Sequence, residues 1–207
     1  MSVTLLLIAV TVAITLWGWN SPALMDRWIM NPYAVARRGE YHRLITSGFL
    51  HADGGHLFFN MLSFYFFGQG VERIFGELFG DLGGVVLVVF YLIAIVISDI
   101  PTLMKHKNSP GYNSLGASGG VSAIIFATIL IFPLTSIYFF FIPVPIPGFI
   151  FALLYLAYSY YSARRGDSGI NHDAHLYGSL FGLLFMAIAY PPAIPGFVEQ
   201  VTQWRPF

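Results

Sequence analysis

Long, mostly apolar stretches dominate the chain, and polar residues gather between them or recur at fixed places inside them. Six stretches approach the roughly 20 apolar residues that a membrane-spanning helix needs: Val3–Trp19, His56–Phe75, Leu82–Ser98, Ser118–Phe132, Gly148–Tyr161 and His175–Tyr190. Several are short, which fits helices that begin inside the membrane beneath a loop lined by protein or water. Trp17, Trp19, Tyr160, Tyr161 and Tyr190 stand at span ends, as interfacial aromatics do. The pattern predicts an all-α polytopic membrane protein of six transmembrane helices, one domain over residues 1–207.

The connections differ in character. Residues 20–55 are long and mixed, carry much of the charge, and contain Pro22, Pro32 and Gly39, so they form no simple turn. Residues 133–147 are apolar, yet Pro133, Pro143, Pro145 and Pro147 forbid a continuous helix. That stretch reads as an interfacial loop dipping into the headgroups. The first apolar run has no basic residue ahead of it and no small-x-small site after it, so it reads as a retained helix. No internal repeat of the kind found in transporters stands out.

Composition sharpens the picture. Of 207 residues 57% are hydrophobic and 10% charged, against roughly 25% charged in soluble domains, so the lipid bilayer is the chain's solvent. Formal net charge is zero without a basic stripe, which argues against a nucleic-acid partner. There are no cysteines, which excludes disulfides, thiolate metal sites and cysteine nucleophiles. With six spans, the side of the first, third and fifth loops carries Arg27, Arg37, Arg38, Arg43, Lys105, Lys107, Arg164 and Arg165, and the other side only Arg73 and Arg205. The positive-inside rule puts the first set in the cytoplasm.

Polar groups within spans are costly and usually functional. His56, Asn60 and Ser63 follow at i, i+4 and i+7 and so share one face of the second span. They are either hydrogen-bonding glue between helices or donors converging on one point, as an oxyanion hole requires. The fourth span opens on Gly116-Ala-Ser118-Gly119-Gly120. Such small residues usually mean close packing, but a serine at a helix N-terminus also faces free N–H groups and the positive end of the dipole. In the sixth span His175, Gly178, Ser179 and Gly182 share a face. If that face packs on the start of the fourth span, His175 reaches Ser118 as the base of a serine nucleophile. Asp173 lies on roughly the opposite face and is expected to cap the helix start.

These patterns, in this order, resemble the rhomboid family of intramembrane serine proteases. His51 and His56-x-x-x-Asn60, Gly116-x-Ser118-Gly119, and Ala174-His175-x-x-Gly178-x-x-x-Gly182 carry the resemblance, and Glu40-x-x-Arg43 extends it into the first loop. It spans a core of about residues 40–190 in a layout that fits a minimal bacterial member, hence a multi-pass protein of a bacterial inner membrane. The resemblance implies a rhomboid-like bundle with a structured first loop held by Glu40 and Arg43. It implies Ser118 as nucleophile, His175 as base, and His56 and Asn60, with the N–H of Ser118 and of Ala117, as oxyanion donors. Substrates would be single-pass transmembrane proteins, cut without cofactor or metal, and the active-site mouth would open on the outer face, against the charge count. Two positions depart from some family members: His42 stands where several have a tryptophan before the loop arginine, and Ser122 where some have an aromatic on which the imidazole stacks. His175 must then be oriented by something else, with Tyr177 or a hydrogen bond as candidates. The rival readings are an inactive relative that escorts transmembrane helices and a metal-dependent hydrolase built on His172, Asp173 and His175.

Overall fold

The computed structural model describes residues 2–139, 142–165 and 169–205. A helix covers each of the six predicted spans, and the interest lies in where their bounds moved. Helix α1 (Val3–Asn20) is followed by three short helices within the first loop: α2 (Pro22–Trp28), α3 (Pro32–Arg38) and α4 (Arg43–Thr46). Ser21 and Asn31 cap α2 and α3 with their side chains, and a proline opens each, where a missing N–H is harmless. The core helices are α5 (Gly54–Phe79), α6 (Gly83–His106), α7 (Ser118–Ile131), α8 (Gly148–Arg165) and α9 (His172–Ala189), with a further helix α10 (Ala193–Gln203).

Among the described residues, Val3–Asn20 and the run Gly54–His106 are long and apolar enough to cross a membrane, and α9 with α10 qualify together although bent by 112°. The long run is two helices that fold back on each other. A Cβ on Gly83 would lie 2.6 Å from the backbone N of Gly76, and residues seven apart come that close only if the chain reverses between them. In α8 the tyrosines at 155, 158, 160 and 161 and the terminal Arg164 and Arg165 dilute the apolar character. Helix α7 has 14 residues, so it is about 21 Å long against a hydrocarbon core of about 30 Å. One of its ends therefore lies below the membrane surface.

The proline-rich stretch, read from sequence as an interfacial loop, contains a two-stranded ribbon. Ser136–Phe139 (β1) pairs antiparallel with Ile142–Pro147 (β2), with Ser136 opposite Pro147 and Ile137 opposite Ile146. Residues 140 and 141 lie outside the described set. Pro143, Pro145 and Pro147 alternate, so their missing donors fall on one edge of a two-stranded ribbon, where a strand tolerates them. Gly148 N–H donates to Thr135 O at 2.9 Å and ties the start of α8 to this ribbon.

The first loop is braced at one residue. Arg43, itself buried, donates from Nε to Glu40 Oε2 at 2.6 Å and from Nη1 to the carbonyls of Asp26 (2.6 Å) and Ile29 (2.8 Å). The Arg43 hydrogen bond holds the Glu40 carboxyl below the ordinary carboxylate range. His42 Nε2 donates to Arg27 O at 3.1 Å, and Thr46 Oγ1 donates to Trp28 O at 2.9 Å. The loop then grips the segment before α7. Met30 and Ser114 exchange backbone hydrogen bonds of 3.0 Å, and Gly116 N–H donates to Ser47 O at 3.0 Å. Asn31 Nδ2 adds bonds to Pro110 O (3.0 Å) and Asn113 Oδ1 (2.9 Å).

The central packing is helix against helix through glycine. Helices α7 and α9 share the most extensive contact in the fold. A Cβ on Gly178 would strike the Gly119 carbonyl, and one on Gly182 would strike the Ala123 carbonyl and lie 2.7 Å from Ala123 Cα. Both partners advance by four residues, so the two helices run parallel.

Two outcomes follow from these contacts. Gly182→Leu is expected to lower the melting temperature in detergent by forcing α7 and α9 apart, an overpacking penalty of about 1–3 kcal/mol or more, whereas Ile188→Ala, on an exposed face, should melt like the wild type. Arg43→Ala should destabilise by about 1–3 kcal/mol for each carbonyl left without its donor. Glu40→Ala should be far milder, because a solvent-reached ion pair contributes at most about 1 kcal/mol. Thermal denaturation of the four variants side by side checks both.

Candidate active site

Ser118 is the first residue of α7, preceded by Ala117 at the cap position. Gly116, two residues earlier, has φ +127°, a conformation that favours glycine. A Cβ there would also stand 2.6 Å from Cε1 and 2.7 Å from Nε2 of His56. The imidazole of His56 thus lies directly on the backbone leading to Ser118.

His56 is held from two sides. Asp53 caps α5, accepting the His56 N–H at 2.8 Å, so α5 begins at Gly54, ahead of the predicted start at His56. The ring of His51 meets that of His56 edge-on, 4.9 Å between centroids at 71°. The protonation of His51 follows from its neighbours. Thr15 Oγ1 donates to Phe49 O at 2.9 Å, so in its 3.0 Å contact with His51 Nδ1 it accepts. His51 Nδ1 therefore carries the proton, and its Nε2 accepts from Ala117 N–H at 3.4 Å. The Ala117 N–H, one of the implied oxyanion donors, is turned to His51 instead. Asn60 is buried one turn along α5 from His56, while Phe58, Phe59 and Tyr65 are exposed around the helix.

Helix α9 starts at His172, earlier than predicted. Its cap is Asn171, whose Oδ1 accepts from Ala174 N–H at 3.1 Å and from Thr102 Oγ1 at 2.9 Å. Asp173, expected at the cap, instead pairs with Lys105 Nζ at 3.3 Å. The cap must stand outside the helix, and the earlier start puts Asp173 already in the first turn. Lys105 Nζ also donates to Ala163 O at 2.9 Å, tying the ends of α6, α8 and α9 together.

The orientation of His175 comes from neither of the candidates weighed above. Tyr177 is exposed. The stacking ring belongs to Tyr155 of α8, parallel to His175 within 20° at 6.1 Å between centroids. Ser122 Oγ and the Tyr155 hydroxyl share a 3.0 Å hydrogen bond. His172, one turn earlier on α9, meets His175 edge-on at 5.8 Å.

Ser118 and His175 come to the same end of the α7–α9 contact. Ser118 immediately precedes Gly119, which touches Gly178, and His175 lies one turn before Gly178. Among the described residues no hydrogen bond joins the two side chains, as is common in substrate-free sites, where such bonds tighten on binding. Beside Ser118 lies a small cavity lined by Ser98, Asp99, Ser114, Gly116, Asn171 and Ala174. Ser114 Oγ is buried there beside Tyr112, and Asp99 accepts from Ser47 Oγ at 3.4 Å. The adjoining loop is well packed: Tyr112 stacks on His106 at 3.7 Å and 6°, and burial pushes its hydroxyl pKa up. Among the described residues, no three His, Asp or Glu side chains converge as a metal would require.

Comparison with known proteins gives the family. The Rhomboid domain matches residues 38–192. RHOMBOID-like protein 12, mitochondrial, of Arabidopsis thaliana is 33% identical over 172 residues, covering 74% of this chain and 49% of that protein. Rhomboid-like protein 17, chloroplastic, of the same plant is 29% identical over 197 residues, covering 89% of this chain and 58% of the relative. Rhomboid-like protein 16, chloroplastic, is 30% identical over 149 residues, covering 65% and 45%. The chain spans about half the length of these curated relatives. An integral membrane bundle with glycine-mediated contact between its serine and histidine helices, matched over most of its length, belongs to the rhomboid family.

Proposed function

We propose that this protein is an intramembrane serine endopeptidase that cuts peptide bonds in or near transmembrane segments of single-pass proteins, with Ser118 and His175 as its catalytic dyad. The observation that carries the reading is the parallel backbone contact of Gly119 with Gly178, which brings a serine at a helix N-terminus and a stacked imidazole to one end of the same seam.

In this mechanism Ser118 Oγ attacks the scissile carbonyl carbon while His175 takes its proton. The negative charge forms on the carbonyl oxygen, which accepts hydrogen bonds from Ser118 N–H, His56 and Asn60. Collapse breaks the C–N bond, and His175 donates its proton to the departing amine, leaving an acyl-serine. Water then attacks the acyl carbon, again losing its proton to His175, and the acid product leaves as Ser118 recovers its hydrogen. No metal enters any step. A third, carboxylate member is dispensable here, because a permanent charge in a low-dielectric site is itself costly. Asp173 is engaged by Lys105 and is not offered for that role.

The membrane is that of a bacterial cell in this reading, carried by the minimal layout. The relatives named mitochondrial and chloroplastic make an organellar membrane the alternative, which fractionation of the source cells decides. The active-site mouth faces outward. Part of the positive charge on its side has structural work, since Arg43 binds carbonyls and Lys105 binds Asp173, so it need not act as a topology signal. A second functional reading, an inactive escort of transmembrane helices, is favoured by the missing hydrogen bond between Ser118 and His175.

Ser118→Ala is expected to abolish cleavage of a reconstituted single-span substrate while leaving the melting temperature unchanged, and retained cleavage would refute the dyad. A fluorophosphonate probe should label the wild type at Ser118 alone, by peptide mapping in detergent and in lipid, and His175→Ala should slow labelling by about 10²–10⁴-fold. A folded wild type that takes no label would favour the escort.

A further inference from the structure

We infer that Tyr155, anchored by Ser122, is the positioning residue of the histidine base, and that it makes alignment of the dyad conditional on α8 being docked. The inference rests on the serine-protease reading above.

The argument starts from what holds His175. Its backbone is fixed by the α7–α9 contact, but a histidine ring still turns about two side-chain bonds, and among the described residues no carboxylate pairs with it. Among the described residues the ring lying parallel to it is that of Tyr155, at 6.1 Å and 20°, within the range of offset stacking. A stack restrains the ring plane without touching the nitrogens, so both stay free for proton transfer.

Tyr155 is itself unusually well held. Its ring stacks on Phe151 at 5.3 Å and 29° and meets Phe126 at 5.6 Å. Its hydroxyl reaches across to Ser122 at 3.0 Å, and Ser122 lies on α7 one turn beyond Ser118. One tyrosine thus touches the imidazole with its face and the nucleophile's own helix with its tip. A larger side chain at position 122 would occupy the place of the hydroxyl, so the serine and the tyrosine are complementary.

This tyrosine belongs to neither dyad helix. It comes from α8, most of whose surface is exposed or half-buried, with Gly148, Phe151 and Ser159 as its buried residues. Displacement of α8 from α7 and α9 would withdraw the Tyr155 ring from His175 and break the bond to Ser122 in the same movement. The base is then aligned only while α8 is seated.

The test measures inactivation by a fluorophosphonate, separating its binding constant from its maximal rate, with melting temperature in parallel, for Tyr155→Leu, Tyr155→Phe and Ser122→Ala in the full chain. Tyr155→Leu should reduce the maximal rate by about 10-fold or more, within the contribution of a well-placed base, with the binding constant unchanged. Tyr155→Phe keeps the ring and should recover most of that rate. Ser122→Ala should lose about as much as Tyr155→Phe, since both break the same bond, and the double variant Ser122→Ala/Tyr155→Phe should lose no more than either. A folded Tyr155→Leu protein that reacts at the wild-type rate overturns the inference. If that variant does not fold, additive losses in the double variant overturn it. Rates that fall only in step with melting temperature also overturn it, because they mark a packing role. Labelling that persists in Ser118→Ala, or is absent from folded wild type, sinks the dyad itself and is read separately.

Discussion

Everything at the candidate site depends on two helix backbones touching. Within lipid no hydrophobic force favours one apolar surface over another, so helices associate through close packing and hydrogen bonds. Gly119, Gly178 and Gly182 allow carbonyl-to-Cα approach that any side chain would block. The same glycines work on a second front. Gly119 also packs against Ser98, and Gly120 against Tyr91 and Ile95, so α7 is wedged between α6 and α9. A serine beginning such a helix cannot drift relative to a histidine one turn up the other.

The segment leading to Ser118 is positioned by a different device. The strand-like segment before α7 is held by the first loop through Met30, Asn31 and Ser47. That loop is in turn closed by Arg43 on the carbonyls of Asp26 and Ile29. A chain of backbone hydrogen bonds therefore runs from an arginine in the interface to the glycine on which His56 rests. This explains why a motif far from the nucleophile, Glu40-x-x-Arg43, belongs with the site: it sets the conformation of the Gly116 segment without touching the reacting atoms.

What the sequence revealed and what it hid divide along the range of the interactions. Helix faces repeat every three to four residues, so the seam of His175, Gly178 and Gly182 and the buried Asn60 beneath exposed phenylalanines were legible from spacing alone. The membrane class was legible from composition. The cap of α9 was misread because helix starts depend on one local hydrogen bond, and Asn171 and Asp173 are both good caps. The paired strands at 136–147 were hidden because prolines argue against a central strand, and only the alternation of Pro143, Pro145 and Pro147 on one edge permits the ribbon. The linkage of Met30 to Ser114 had no local signal at all. Nor did the hydrogen bond of His51 to Ala117, which redirects a donor that motif reasoning assigned to the oxyanion.

Ser122 shows how a departure from a family pattern can be informative. Taken alone, a serine where the imidazole would find its aromatic looks like a loss. In three dimensions the hydroxyl of Ser122 meets that of Tyr155, and the aromatic face arrives from another helix. The stacking contact is supplied by a residue distant in sequence and carried on another helix. Such a rearrangement leaves the imidazole supported but changes which part of the fold supports it. Under the proposed reading, in which the substrate is itself a membrane helix, that choice matters, because a substrate entering beside α8 would perturb the element that holds the proposed base. A ring borne on α7 would be indifferent to such entry; a ring borne on α8 is not.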